Sequence, residues 1–187
     1  MKTLLFTLWL GGATFLGAAQ TPAEPPFTIA CHRGARVGGD KQQFCEIRDL
    51  TMAAPVGQAL RIDGANGGTT VRGWAGSAVR IKVLVQSGGR TAEEAQARVQ
   101  DVVITAAGNA LRATLPAAAE RLVRYEVFVP RQTALVVTVA GGNIWLEDMQ
   151  ARIEFRGGSG NATLTDLGGQ VTGSITNSNL YINLGGS

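Results

Sequence analysis

Short alternations of hydrophobic and polar residues run through most of this chain and predict an all-β protein. In residues 60–63 (LRID) and 79–85 (VRIKVLV), for example, every second residue is hydrophobic. A β-strand with one buried face shows this pattern, because its side chains point alternately to opposite faces. Residues 91–103 change to a helical period, and Thr91 and Glu94 have the spacing of an N-terminal capping box. We therefore expect many short strands and one short helix.

An internal repeat of 18 residues occupies the last third of the sequence. A small residue followed by asparagine recurs at Asn143, Asn161 and Asn179, and a hydrophobic–polar–hydrophobic segment follows each asparagine. Counting back 18 positions from Ile153 reaches Leu135, which opens another hydrophobic strand. Two short strands in each repeat unit are typical of a β-solenoid, whose coils stack about 4.8 Å apart. The repeat therefore predicts a single-stranded, β-helix-like solenoid with about 18 residues per coil.

Asparagine and glycine supply the predicted turns of this solenoid. Both residues accept the left-handed backbone conformation more easily than most others, and the asparagine amide also bonds to nearby backbone. Stacked asparagines are expected to form a hydrogen-bonded ladder between coils. The predicted structural turn residues are Asn66, Gly67, Gly68, Asn143, Asn161 and Asn179.

The alternation also predicts which side chains face the core. The inward set is Ile144, Leu146, Phe155, Leu164, Val171, Ile175 and Ile182. The outward set is Trp145, Glu154, Arg156, Thr163 and Tyr181. Three outward residues, Trp145, Thr163 and Tyr181, fall in register and form a candidate contact stripe for protein or sugar. The stripe lies on a nearly uncharged face, since Arg156 is the last basic residue and Asp166 the last acidic one. Packing between exposed strands explains these residues equally well.

The first 19 residues have the pattern of an export signal. Lys2 precedes a hydrophobic run at 4–16, and small residues follow it. The run is shorter than the roughly 20 residues that a membrane-spanning helix needs. We therefore expect cleavage near Gln20, no membrane span afterwards, and a periplasmic, cell-surface or secreted location.

The remaining chain divides into a leader and one domain. Residues 20–30 are rich in proline and predict an extended leader, and residues 31–187 predict a single solenoid domain. The sequence stops at 185–187 (GGS) without a terminal cap of the kind that solenoids require. Either further coils are missing, or the open end is a docking surface for a like subunit or a partner strand.

The two cysteines predict a disulfide bond. An exported chain matures where thiols are oxidised, so a bond between Cys31 and Cys45 is expected, worth about 3 kcal/mol. The segment between them is polar and has a turn signal at 38–40. A metal site made of both cysteines with His32 and Asp40 is disfavoured by the ligand spacing and by the compartment.

Composition and charge exclude several function classes. Charged residues make up 17% of the 187 residues and hydrophobic residues 45%, which argues against disorder. One histidine and two cysteines are too few for a three-histidine zinc site or a two-cluster zinc finger. The net charge is only +3 and the arginines are scattered, so nucleic acid is not an expected partner. No phosphate-binding loop is present, and 157–161 lacks the aspartate of a calcium-binding repeat. We expect no metal and no cofactor.

Several segments together resemble a known family. They are 45–48 (CEIR), 60–64 (LRIDG), 66–68 (NGG), 73–74 (GW) and 125–130 (YEVFVP). The set is similar to the bacterial adhesin-like domains, exported β-strand-repeat proteins related to head-GIN-type domains. The resemblance covers about residues 45–187 and implies a right-handed solenoid. It carries no catalytic residues, and the later turns depart from the family's Asn-Gly-Gly pattern.

Two functions follow as alternatives. The first is an exported, non-catalytic structural or interaction module that presents a solenoid face to a protein or glycan of the cell envelope. For such a module we also expect self-association through the open solenoid end. The second is a β-helix-type enzyme that acts on polysaccharides. Such enzymes use clustered Asp, Arg or Lys on one face, which the repeats lack after Asp166. We therefore expect no catalytic residues and favour the binding module.

Overall fold

The computed structural model describes residues 23–32, 41–116 and 121–183. The predicted signal peptide (1–19) with its cleavage site near Gln20 lies outside the described residues. The predicted turn at 38–40 and the last residues, 185–187, also lie outside them. Within the described part of the chain, no helix is both long enough and hydrophobic enough to cross a membrane.

Short strands dominate the described residues, as the alternation predicts. The first seven elements are β1 (Gln42–Ala53), β2 (Leu60–Asn66), β3 (Thr69–Trp74), β4 (Ala78–Gly89), α1 (Ala92–Gln100), β5 (Val103–Ala107) and β6 (Ala110–Thr114). The next seven are β7 (Arg121–Pro130), β8 (Leu135–Gly141), β9 (Ile144–Glu147), β10 (Ile153–Gly157), β11 (Ala162–Thr165), β12 (Val171–Ile175) and β13 (Leu180–Asn183).

The helix α1 begins where its capping residue was expected. The Thr91 hydroxyl accepts a hydrogen bond from the Glu94 backbone N–H at 3.2 Å. The Glu94 carboxylate accepts from the backbone N–H of Arg90 at 2.7 Å, one residue before the partner in a standard capping box. Ala95 and Val99 are buried, so one face of the helix packs on the core.

The strands form two mixed sheets. Sheet A has the order β1-β4-β7-β3-β9-β11-β13, and sheet B has the order β12-β10-β8-β2-β6-β5. In sheet A, β4 pairs antiparallel with both β1 and β7, and the other neighbours are parallel. In sheet B, only the β5–β6 hairpin is antiparallel. Parallel and antiparallel ladders therefore occur side by side in both sheets.

The prediction of a right-handed, single-stranded β-solenoid is wrong. The protein has two mixed sheets and one helix, and a large part of sheet A is antiparallel. β1 and β4 are 12 residues long and pair along their whole length, from Gln42 opposite Gly89 to Ala53 opposite Ala78. Alternation is the same in parallel and antiparallel strands, so it predicts strands without predicting how they pair.

Strand pairing in the last third of the chain follows the 18-residue spacing. The parallel strands β8, β10 and β12 of sheet B align Leu135, Ile153 and Val171. The parallel strands β9, β11 and β13 of sheet A align Ile144, Ala162 and Leu180. The spacing therefore corresponds to parallel ladders in two different sheets.

Both sheets and the helix share one hydrophobic core. Leu60 of β2, Val127 of β7 and Val99 of α1 belong to the same buried cluster. Such burial is the main favourable contribution to folding. The face of sheet A that points away from this cluster is called the outer face below.

Burial decreases along the inward row towards β13. Leu146, Leu164 and Ile182 are partners on neighbouring strands, and the first two are buried. Ile182 is 57% exposed, which corrects the expectation that it belongs to the core. Val171 and Ile175 are only half-buried. The physical reason is position, since β13 and β12 are edge strands of their sheets, each with one neighbouring strand among the described residues.

Candidate functional site

One row of side chains crosses the outer face of sheet A. The register places Glu126 of β7 opposite Thr70 of β3 and Thr70 opposite Trp145 of β9. It continues from Trp145 to Thr163 of β11 and from Thr163 to Tyr181 of β13. The predicted contact stripe (Trp145, Thr163, Tyr181) thus occupies consecutive strands. Trp145 is 45% exposed and Tyr181 is 54% exposed, with the half-buried Thr163 between them.

The N-terminal strap, residues 23–32, covers the other half of this face. Phe27 packs edge-on against Phe128 of β7, with the ring centres 5.0 Å apart. The guanidinium of Arg80 and the ammonium of Lys82, both on β4, lie about 5 Å from the centre of the Phe27 ring. Arg80 also pairs with Glu24 at 2.8 Å. Most of the predicted leader therefore packs on the strands β4 and β7.

Glu126 holds the strap in place. Its buried carboxylate accepts hydrogen bonds from the backbone N–H groups of Thr28 and Ile29, both at 2.8 Å, and from the Thr28 hydroxyl at 3.0 Å. Arg72 completes the set with an ion pair at 2.6 Å. A buried charge needs such partners, because water no longer solvates it. Sequence reasoning missed Glu126, although a lone charge within YEVFVP was a usable signal.

The predicted disulfide bond between Cys31 and Cys45 is confirmed. It joins the end of the strap to β1, with the two Cα atoms 5.8 Å apart. Disulfide bonds persist in oxidising compartments and are rare in the cytosol. The bond is therefore consistent with an exported protein.

The predicted turn residues divide into two kinds. Gly67 and Gly68 have positive φ angles of 141° and 87°. In the later turns the positive φ lies on Gly142 and Gly160, each directly before an asparagine, rather than on the asparagine itself. Asn66 ends β2 opposite Gly141. The expected left-handed role therefore belongs to glycine in these turns, whereas in the third turn Asn177, two residues before Asn179, has a φ of 54°.

The asparagines connect neighbouring strands instead. The Asn143 side-chain oxygen accepts a hydrogen bond from the Asn161 backbone N–H at 2.9 Å. The Asn161 side-chain oxygen accepts in the same way from the Asn179 N–H at 3.2 Å. The Asn143 and Asn161 side chains thus form a ladder that connects the backbone at the starts of β9, β11 and β13.

A groove of about 560 Å³ lies where the strap meets the uncovered half of sheet A. We call it the boundary groove; its lining is Thr28, Ile29, Ala30, His32, Gly67, Gly68, Thr69, Thr70, Arg124, Tyr125, Glu126, Asn143 and Trp145. It contains turn residues and the first member of the contact stripe. Four separate parts of the chain build it, so no local sequence pattern marked it.

The polar groups of the boundary groove differ in how far they are already engaged. The Glu126 carboxylate already accepts hydrogen bonds from the strap and pairs with Arg72. Arg124 is exposed; its Nε donates to the Gly67 carbonyl at 3.2 Å, and it forms no ion pair with any described residue. His32, Asn143 and Trp145 are also exposed. These groups can bind a ligand by ion pairing, hydrogen bonding and stacking.

A tyrosine lies in the core beneath the groove. Tyr125 is fully buried, and its hydroxyl has no hydrogen-bond partner among the described groups. Burial, with a smaller contribution from the negative charge of Asp63, raises the pKa of this hydroxyl. Tyr125 is therefore neutral at physiological pH. Among the described residues, no three His, Cys, Asp or Glu side chains are grouped so as to hold a metal ion.

Comparisons with known proteins add little. No protein-family model matches the chain, and no curated protein is similar to it. A solved structure from Clostridium sporogenes, described as a candidate cell adhesion protein, is similar at 6% sequence identity with a TM-score of 0.39. The match covers 74% of this chain and 73% of that one. A likeness this distant carries no argument, and no family model supports the adhesin-domain resemblance.

Proposed function

We propose that this protein is a non-catalytic binding module that acts outside the reducing cytoplasm, in the periplasm, on the cell surface or in the medium. Its partner, a glycan or protein of the cell envelope, binds the uncovered half of the outer face of sheet A. The disulfide bond supports the location. The contact stripe, which lies on this half of the sheet, supports the choice of binding surface.

The observation that carries this proposal is the exposure of Trp145 and Tyr181 on a sheet face whose other half is covered. Aromatic side chains contribute large contact areas and are frequent energetic centres of interfaces. Both lie in one register row with a hydroxyl residue, Thr163, between them. The result is a flat surface with two aromatic rings and hydrogen-bonding groups.

The state of the carboxylates supports a non-catalytic role. Most glycoside hydrolases need two carboxylates that flank the scissile bond. In the boundary groove, Glu126 is the one carboxylate among the described lining residues, and it is fully engaged. Glu147 nearby pairs with the same arginine, Arg72, at 3.0 Å. Neither carboxylate is placed as a free acid or base.

The test is binding of the purified protein to a glycan array and to isolated cell envelopes. Replacing Trp145 and Tyr181 together by Ser should weaken binding about tenfold or more, because it removes both rings. Circular dichroism should stay unchanged, since both side chains are exposed.

The matched control is Val103→Ser. Val103 is equally exposed but lies on β5, the last strand of sheet B. Unchanged binding by the Trp145–Tyr181 double variant would contradict the proposal.

Light scattering of the same proteins tests self-association through β13, which also exposes Leu180 and Ile182.

A further inference from the structure

The boundary groove brings a positive charge and an aromatic ring to one surface. Tyr125, Thr69 and Ile144 are partners on the neighbouring strands β7, β3 and β9. The residues that directly precede them are Arg124, Gly68 and Asn143. Arg124 and Asn143 therefore lie two strands apart, which corresponds to about 10 Å. Trp145 follows two residues after Asn143 and faces the same side.

Gly68 lies between the Arg124 and Asn143 positions and places no side chain there. Its φ angle of 87° disfavours any residue with a side chain. A Cβ atom there would also lie only 2.7 Å from the Asn143 carbonyl oxygen. Backbone atoms therefore form the bottom of the groove between Arg124 and Asn143.

The charge of the groove favours an anion. The Glu126 carboxylate is already engaged by Arg72, at 2.6 Å, which it shares with Glu147, and by the hydrogen bonds from the strap. Arg124 has no carboxylate partner among the described residues, and only its Nε is engaged. Its two terminal nitrogens can therefore donate to a ligand. A guanidinium binds a carboxylate through paired hydrogen bonds, and one arginine suits a single negative charge.

The neighbouring groups favour a sugar as the carrier of that charge. The exposed indole of Trp145 offers a flat surface for the apolar face of a pyranose ring. The Asn143 side-chain NH2 group, whose neighbouring oxygen is bonded to Asn161, and the Thr70 hydroxyl line the same groove and can bond to sugar hydroxyls. Beyond Trp145 the row continues to Tyr181, two strands away, or about 10 Å, roughly the length of two sugar rings.

We infer that the boundary groove binds an acidic glycan, with Arg124 holding a sugar carboxylate and Trp145 stacking on a sugar ring. This inference rests on the proposed function and names its ligand class. The chain of sugars then runs along the contact stripe towards Tyr181.

The test is calorimetric titration with oligosaccharides of galacturonate, of alginate and of hyaluronan. The methyl ester of oligogalacturonate is the matched neutral probe, because it has the same rings without the charge. At least one acidic oligosaccharide should bind about tenfold more tightly than a neutral one, and added salt should weaken that binding.

Two variants separate the roles of the residues. Arg124→Gln should abolish both the preference for the acid and the salt dependence, and Trp145→Ala should weaken binding of acidic and neutral probes alike. The control Arg156→Gln removes an exposed arginine of sheet B that pairs with Glu154, and it should change nothing.

Four outcomes would overturn the inference. If oligogalacturonate and its ester bind equally well, the charge of the sugar has no role. The same follows if Arg124→Gln does not weaken binding of the acid. Binding of neutral glycans alone removes the acidic ligand class and leaves the proposed function standing. The inference is also overturned if no acidic oligosaccharide binds at about 1 mM. The proposed function is then decided separately, by binding of the protein to isolated cell envelopes.

Discussion

The two halves of the outer face of sheet A present similar side chains in different environments. On β7, Phe128 is only 3% exposed because the strap residue Phe27 packs against it. On β9, Trp145 is 45% exposed, because no described segment of the chain packs over it as the strap packs over Phe128. Both are large aromatic residues on the same side of the same sheet. One is therefore covered within the chain, and the other is available to a partner.

This difference shows how to recognise a binding face on a β-sheet protein. Outward hydrophobic side chains on β7 do not indicate a binding surface, because the strap uses them for its own attachment. The strap is fixed by buried polar contacts at Glu126 and by the disulfide bond at Cys31. The boundary groove lies beside the polar attachment at Glu126 and extends to Trp145. We therefore propose the uncovered half as the binding surface.

Removing one aromatic ring from each half should have very different effects on stability. Phe128→Ala should lower the free energy of unfolding by about 3–5 kcal/mol, because it leaves a cavity beneath the strap. Trp145→Ala should lower it by less than about 1 kcal/mol, because the ring is largely in solvent. Urea denaturation of the two variants measures both values. Similar losses would show that the two halves do not differ.

Removing the disulfide bond should loosen the strap. Replacing Cys31 and Cys45 together by Ser should cost about 3 kcal/mol, as expected for closing a loop of this length. Chemical denaturation gives the loss, and intact-mass analysis before and after reduction with alkylation counts the bond in the native protein. Two free thiols in the native protein would contradict the account.

Neutralising Glu126 should release the strap at its centre. Glu126→Gln should cost about 1–3 kcal/mol, because it weakens a buried acceptor of several hydrogen bonds. Hydrogen exchange at the amides of Thr28 and Ile29 should become faster. The control Glu147→Gln weakens a half-exposed ion pair with the same Arg72, and should cost about 0–1 kcal/mol. If the control is as costly as Glu126→Gln, Arg72 rather than the strap explains the effect.

The local features of this fold could be predicted from the sequence, and the long-range ones could not. Alternation predicts the strands, and Thr91 marks the start of the helix. The antiparallel pairing of Gln42 with Gly89 has no local signal. The contact of Thr28 with Glu126 joins residues 98 positions apart, and only tertiary structure brings them together. The contact stripe could be proposed from the 18-residue register, whereas the groove beside it required the strap to be placed.

The central claim is that a partner binds the uncovered half of sheet A, and the two tryptophans of the described chain test it directly. Trp145 lies on the uncovered half, and Trp74 lies near Pro25 and Phe128 on the covered half. Acrylamide quenching is measured with and without a saturating amount of the acidic oligosaccharide that binds most tightly, in protein without residues 1–19. Trp74→Phe leaves Trp145 as the reporter, and Trp145→Phe leaves Trp74. The account predicts that the ligand protects Trp145 from quenching and leaves Trp74 unchanged. Protection of Trp74 with none at Trp145 would contradict it.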